Sequence, residues 1–246
     1  MAGFAGITGA LLPAYITRDK LTPSAKKREV RDRWVARWSG SLLRLFSIEV
    51  TYASVAGHPA SSASSGRLVV SNHRSALDIG ILLQRFGGHM VSRADLSRWP
   101  LVGPAARSVG TVFVDRSDKV SGASTIRAMR SLLKEGDTVL VFPEGTTFEG
   151  DTVRPFQAGA FAGVAGAGAV IVPVGIAYQT GSQAAFVGES FTQHLTRMAG
   201  ADATRVVVRV GEPFSPPEKA RAGEVAELAR IAVQALVEQA RRDVDG

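Results

Sequence analysis

The 246-residue chain contains no cysteine. That absence removes disulfides, thiolate nucleophiles, cysteine zinc sites and iron–sulfur clusters together. No G-x-S-x-G turn occurs, so the exposed serine of a nucleophile elbow is missing as well. His, Asp and Glu do not gather at metal-ligand spacing, and no metal site is expected. Apolar runs long enough to cross a bilayer as a helix are lacking too. Residues 1–16 are largely apolar, but Gly3, Gly6, Gly9 and Pro13 interrupt them and the stretch is too short. With no basic residues ahead of it, it does not read as a secretory leader. It reads as a membrane-dipping or domain-packing lead-in.

What is present is enough apolar sequence, 45% of residues, for one large domain or a domain with a small appendage. The net charge of +7 points to anionic partners, and its position narrows them. Residues 18–44 hold nine Lys and Arg against three Asp and Glu, so most of the excess lies near the N-terminus. There, Val30, Trp34, Trp38, Leu42 and Leu45 share one helical face while Arg28, Arg31, Arg33, Arg37 and Arg44 flank or oppose it. Tryptophan beside arginine suits a bilayer interface, and a basic helix docked on its own domain gives the same pattern.

Beyond that segment, short β-branched runs alternate with helical periodicity. Strands are predicted at residues 48–53, 67–70, 111–114, 138–142, 170–176 and 205–210, and the Gly- and Ser-rich residues 57–66 form a connecting loop. A helix is expected over residues 117–133. The Ser215-Pro-Pro-Glu sequence has the form of a capping box opening a last helix that carries Val225, Leu228, Ala232 and Leu236. The alternation predicts an α/β fold with a mixed, largely parallel sheet flanked by helices. The expected division is residues 1–47, a helical membrane-associating segment, and residues 48–246, the α/β domain.

Three polar stretches follow predicted strands, where open α/β sheets place their chemistry. In "SNHRSALDIG", residues 71–80, His73 precedes Asp78 by five residues at a strand-to-helix junction. Imidazole suits proton abstraction at neutral pH, and a carboxylate can fix its tautomer. Ser75 and Asp78 can also cap the following helix, and the two roles are compatible. With neither a serine elbow nor a cysteine, the attacking group can belong to the substrate, as a hydroxyl deprotonated by His73. "FPEGTT" places Glu144, Gly145, Thr146 and Thr147 in a turn that either presents N–H and hydroxyl groups to a ligand or is an ordinary polar turn. In "FVDR", Arg116 either grips a phosphate or pairs with Asp115. His58, His89 and His194 have no comparable neighbours in sequence. The glycines of residues 159–169 precede a strand, where a dinucleotide loop would follow one, so they read as packing positions.

Taken in order, "NHRSALD", "FVDR", "FPEGT" and "VPVGI" resemble the four blocks of the glycerolipid acyltransferase superfamily, typified by lysophosphatidic acid acyltransferases. They span residues 72–176, and "RADLSRWPLVG" resembles the intervening segment. The resemblance implies transfer of a fatty acyl chain from acyl-CoA or acyl carrier protein to a lipid hydroxyl, without a cofactor. The reaction would take place at the cytoplasmic face of a membrane, on a peripheral or monotopic enzyme. It implies His73 as base and Asp78 as its partner. Asn72, Asp115, Arg116, Glu144, Gly145, Thr146, Thr147 and Pro173 would fall in acceptor-binding or pocket-shaping blocks. Thr147 and Gln157 stand where many lysophosphatidic acid enzymes carry a basic residue, which brings the segment closer to lyso-ornithine lipid acyltransferases. Lysophosphatidic acid remains the first expectation because Arg116 and Arg154 are present. A nucleic-acid-binding protein would explain the charge but leave these motifs idle, and a thioesterase would replace the acceptor by water.

Overall fold

The structure, a computed structural model, describes residues 2–54, 65–115, 117–164 and 166–246. Two helices lead, α1 (Ala2–Lys20) and α2 (Ser24–Leu45). The α/β unit follows as β1 (Ile48–Ser54), β2 (Arg67–Ser71), α3 (Leu77–Phe86), β3 (His89–Arg93), α4 (Val102–Ser108), β4 (Val112–Val114), α5 (Lys119–Lys134) and β5 (Thr138–Val141). It closes with β6 (Val170–Tyr178), α6 (Phe191–Ala199), β7 (Thr204–Val210) and α7 (Ala222–Asp245).

The seven strands run in the order β1-β7-β6-β2-β5-β3-β4. Every neighbouring pair is parallel except β6 with β7. The fold is therefore the mixed, largely parallel sheet that the alternation implied. Because both faces are covered, its central strands are apolar throughout and alternate between two cores. In β2, Val69 packs beneath α2 and α3, whereas Leu68 and Val70 join Met129 and Leu133 of α5 and the inner face of α7.

Strand β3 was not foreseen, because its five residues include His89, Ser92 and Arg93 and its apolar content is low. The last helix starts six residues later than the Ser215 signal suggests, and at its first turn Glu224 accepts the Arg221 N–H at 3.1 Å and the Arg221 Nε–H at 3.0 Å. Pro217 keeps Pro216 out of the helical region, and Phe214 is held in a bridge to Ile171, so the chain stays extended there.

The expected N-terminal segment is helical, and its apolar side chains belong to the same core as the sheet. Phe4, Tyr15, Val35, Leu42 and Leu43 pack with Val69, Leu140 and Val172. The tryptophans are turned toward α1 and not outward: Trp34 Nε1–H donates to the Leu11 carbonyl at 2.9 Å and Trp38 Nε1–H to Thr8 Oγ1 at 3.0 Å. On the opposite side α2 is tied down by charge. Arg31 bonds Asp137 at 3.0 Å and reaches the Nε2 of His89, while Asp32 accepts the Gly88 N–H at 3.0 Å. No helix among the described residues is long and apolar enough to cross a membrane.

Candidate active site

The site begins where β2 ends. Asn72 is fully buried and continues the sheet with its side chain, since Nδ2–H donates to the Ile176 carbonyl and Oδ1 accepts the Ile176 N–H, both at 2.9 Å. That substitution of amide for backbone lets the main chain turn away at His73 without leaving β6 unpaired. The turn then closes on Asp78 in the first turn of α3. Four donors converge on its buried carboxylate: the N–H of Arg74 at 2.6 Å and of Ser75 at 2.8 Å, His73 Nδ1 at 2.9 Å, and the Tyr178 hydroxyl at 2.5 Å. Ser75 Oγ in turn accepts the Leu77 N–H at 3.2 Å, so the capping arrangement and the His–Asp pair coexist.

With a carboxylate accepting from Nδ1, the ring proton of His73 sits there and Nε2 carries a lone pair. Among the described residues Nε2 has no partner. The imidazole is stacked on Phe142 at the end of β5, with centroids 3.9 Å apart and planes at 7°. It faces a cavity of about 450 Å³ that reaches Phe4, Trp34 and Trp38 at the helical hairpin, Leu83 of α3 and Phe191 of α6. A hollow of about 370 Å³ adjoins it, lined by Arg93, Asp95, Asp115 and Ser117 at the ends of β3 and β4. Gly145 lines both and adopts φ +90°, a conformation that favours glycine. An imidazole with an open nitrogen therefore stands at one end of an apolar chamber beside a polar one.

The remaining sequence candidates divide sharply. Thr146 and Thr147 line the cavity with Gly145. Thr147, however, commits its hydroxyl to the Phe186 carbonyl and so anchors the segment leading to α6. Glu144 was expected to meet the acceptor, and it is buried instead. Its oxygens take the His73 N–H at 3.0 Å, Arg74 Nη1 at 2.9 and 3.1 Å, and the Arg154 N–H at 3.2 Å. Arg74 also donates to the carbonyls of His73, Gly150 and Thr152, which locks three loops together. Asn72 and Glu144 are thus structural supports of the turn and are closed to a ligand.

Asp115 is exposed and holds the entry to α5. It accepts from Ser117 through N–H at 3.0 Å and hydroxyl at 2.6 Å, bonds that lower its pKa. Arg116 lies outside the described residues. Pro173 does not reach the cavity. The period-two alternation of β6 sends Val172 and Val174 to the cavity side, and Pro173 with Gly175 to the face of α7. An added Cβ at Gly175 would lie 2.5 Å from the Leu236 carbonyl carbon, which is why the fourth block needs glycine there.

Sequence reasoning missed Tyr178, Arg74, Ser75 as a bonded partner, and His194. His194 looked solitary, yet its Nε2 lies 3.1 Å from Ser75 Oγ and its Nδ1 3.0 Å from Glu189 Oε1. For Tyr178 the only signal was a hydroxyl at the end of an apolar strand. Burial and the adjacent Asp78 carboxylate push its pKa well up, so it stays a donor.

A largely parallel α/β unit with a His–Asp pair at the strand ends, opening on an apolar chamber, has the form of a ligand site where a titratable group meets a long apolar pocket. The Acyltransferase family profile matches residues 47–177. A lyso-ornithine lipid O-acyltransferase of Pseudomonas aeruginosa is 31% identical over 235 residues, covering 93% of this chain and 86% of that one. A 1-acyl-sn-glycerol-3-phosphate acyltransferase of Neisseria gonorrhoeae is 31% identical over 166 residues, or 66% of this chain and 61% of the relative. In fold, the crystal structure of the acyltransferase PlsC from Thermotoga maritima superposes with a TM-score of 0.69 at 21% identity, covering 92% of this chain and 87% of the other. The chain belongs to the glycerolipid acyltransferase superfamily and is an O-acyltransferase.

Proposed function

We propose that this acyltransferase moves a fatty acyl group from a thioester, acyl-CoA or acyl carrier protein, to the hydroxyl of a single-chain polar lipid, with His73 as general base. The observation that carries the reading is the open Nε2 of a histidine whose Nδ1 is held by Asp78, at the junction of the apolar and polar chambers. The acceptor hydroxyl gives its proton to Nε2 as its oxygen bonds the thioester carbonyl carbon. The tetrahedral centre then expels the thiolate, which takes the proton from the imidazolium. The enzyme forms no covalent intermediate and the step needs neither cofactor nor metal.

Of the two expected acceptors, the amino-acid head group of a lyso-ornithine lipid gains support from the polar hollow. Among its described lining residues Arg93, itself paired with Asp95 at 3.0 Å, stands near Asp115, a mixed set that suits a head group of both signs better than a phosphate dianion. Thr147, spent on Phe186, adds no anion contact. A phosphate acceptor keeps the support of the Neisseria relative and of Arg116 in the sequence. Membrane contact falls to the outer face of α1, where Gly6, Gly9, Ala10, Pro13 and Ala14 are exposed and residues 2–17 carry no charge. That placement replaces the tryptophan face as the interfacial surface.

The test is thiol release from acyl-CoA and from acyl carrier protein with lyso-ornithine lipid, with lysophosphatidic acid and with neither, for the wild type and for His73→Ala. Release that requires one lipid and His73 supports the reading and names the acceptor. Equal release without lipid makes the protein a thioesterase, and release independent of His73 removes the base.

A further inference from the structure

Beside the reacting pair, four side chains form a second hydrogen-bonded series that the reaction as written does not use. Ser75 and His194 are fully buried. Glu189, kept low in pKa chiefly by Arg197, lies 3.0 Å from Nδ1 of His194, a nitrogen that Arg197 Nη2 also approaches at 3.1 Å; because a carboxylate only accepts, its bond to the ring puts the proton on Nδ1. In that tautomer Nε2 of His194 is an acceptor for the Ser75 hydroxyl, 3.1 Å away. Serine, histidine and carboxylate stand in the order of a hydrolytic triad. Yet Ser75 Oγ is sealed from the cavity and also accepts the Leu77 N–H, so no acyl group can reach it.

Its surroundings point to another task. The Ser75 N–H is one of the donors that hold Asp78, at 2.8 Å, and Asp78 holds His73. At the other end, His194 lies on α6, whose Phe191 and Leu195 form part of the apolar cavity wall. The same segment is pinned to the catalytic turns through Phe186, whose N–H donates to the Arg74 carbonyl at 2.8 Å and whose ring lies 4.7 Å from that of His194. A continuous path therefore runs from cavity wall to general base.

We propose that His194 is a positioning residue for acyl transfer: through Ser75 it sets the turn that aims Asp78 and His73, and it ties that aim to the α6 wall that an acyl chain would touch. The proposal rests on the reading of His73 as base. Burial, aided by the Arg197 cation and opposed by Glu189 and Asp78, lowers the His194 pKa, the direction that favours the neutral ring its acceptor role requires. The groups facing it are Glu189 and Arg197 from its own segment, Asp78 from α3, and Tyr178 beside the Ser75 hydroxyl. Misaiming a base by a fraction of an ångström lowers turnover without removing the chamber that binds the donor.

The experiment compares the full chain as wild type, His194→Phe, His194→Gln, Ser75→Ala and the Ser75→Ala/His194→Phe double variant, with His73→Ala as control. Acyl transfer to the preferred lipid is followed from about pH 5.5 to 9, spanning the histidine range, beside thermal unfolding. His194→Phe should lower kcat about 10- to 100-fold with the donor KM within about twofold, and should displace the acidic limb of kcat. Glutamine, which can accept from Ser75, should recover most of the loss, and the double variant should be no worse than the worse single one. An unchanged kcat and pH limb in folded His194→Phe, or losses that multiply in the double variant, overturn the proposal. If the phenylalanine variant does not fold, an unchanged pH profile in Ser75→Ala overturns it equally. Transfer that survives His73→Ala defeats the base assignment instead, a result separate from failure at His194 alone.

Discussion

Replacing Glu144 by glutamine separates a head-group contact from a buried support. The substitution keeps the shape of the side chain and removes its charge, leaving the Arg74 guanidinium, itself buried, without the carboxylate that meets it at 2.9 Å. Removing one partner of a buried pair costs about 3–5 kcal/mol. Arg74 retains the carbonyls of His73, Gly150 and Thr152, and the new amide oxygen still accepts one bond, so the loss should sit near the lower end, about 3 kcal/mol. For a chain of this size, about 2–4 °C per kcal/mol makes that a fall of about 6–12 °C in Tm. Differential scanning calorimetry reads the fall, and steady-state kinetics with varied acceptor lipid should show KM within about twofold. A Tm unchanged within a degree together with a KM raised about tenfold or more would mean that Glu144 meets the acceptor and that the buried arrangement is wrong.

Tyr178→Phe takes a donor from a buried oxygen of Asp78 and should cost about 1–3 kcal/mol in urea unfolding, with a lower kcat; an unaltered midpoint would show that the hydroxyl does not hold Asp78. Asp137 gives a pH-dependent outcome. Burial alone would raise its pKa, but His89 and Arg31 take it down to about 2, against an ordinary 3.8. A depressed carboxyl contributes stability that is present above the ordinary value and lost as pH falls through the folded one, here about 2 kcal/mol between about pH 4 and 2. Urea midpoints should therefore drop less for Asp137→Asn than for the wild type between pH 5 and about pH 2.5, and parallel drops would contradict the sign. On α1, Gly9 has open space around it, so Gly9→Glu with Ala10→Glu should fold normally. It should also weaken binding to anionic vesicles about tenfold or more, at about 1 kcal/mol per charge. Undiminished sedimentation would move the membrane contact elsewhere.

The sequence by itself determined the layered α/β architecture, because alternating apolar runs of strand and helix period can bury both faces of a parallel sheet in few other ways. It also led His73, Asp78 and Gly145 to one edge of the sheet, since they follow strands in one direction and parallel strands deliver their ends together. Within those motifs it could not tell an open polar group from one held in the packing. Asn72, Glu144 and Thr147 are polar residues at strand ends like His73, and only packing revealed that their atoms are consumed by Ile176, Arg74 and Phe186. The face taken by Pro173 follows from the pairing of Val70 with that residue, and pairing between segments about a hundred residues apart is a tertiary event. The same holds for Tyr178 and His194, which approach Asp78 and Ser75 across 100 and 119 residues. Local pattern sets which elements form; which side chains meet is decided by register and burial, because a hydrogen bond depends on ångström distances that no spacing along the chain records.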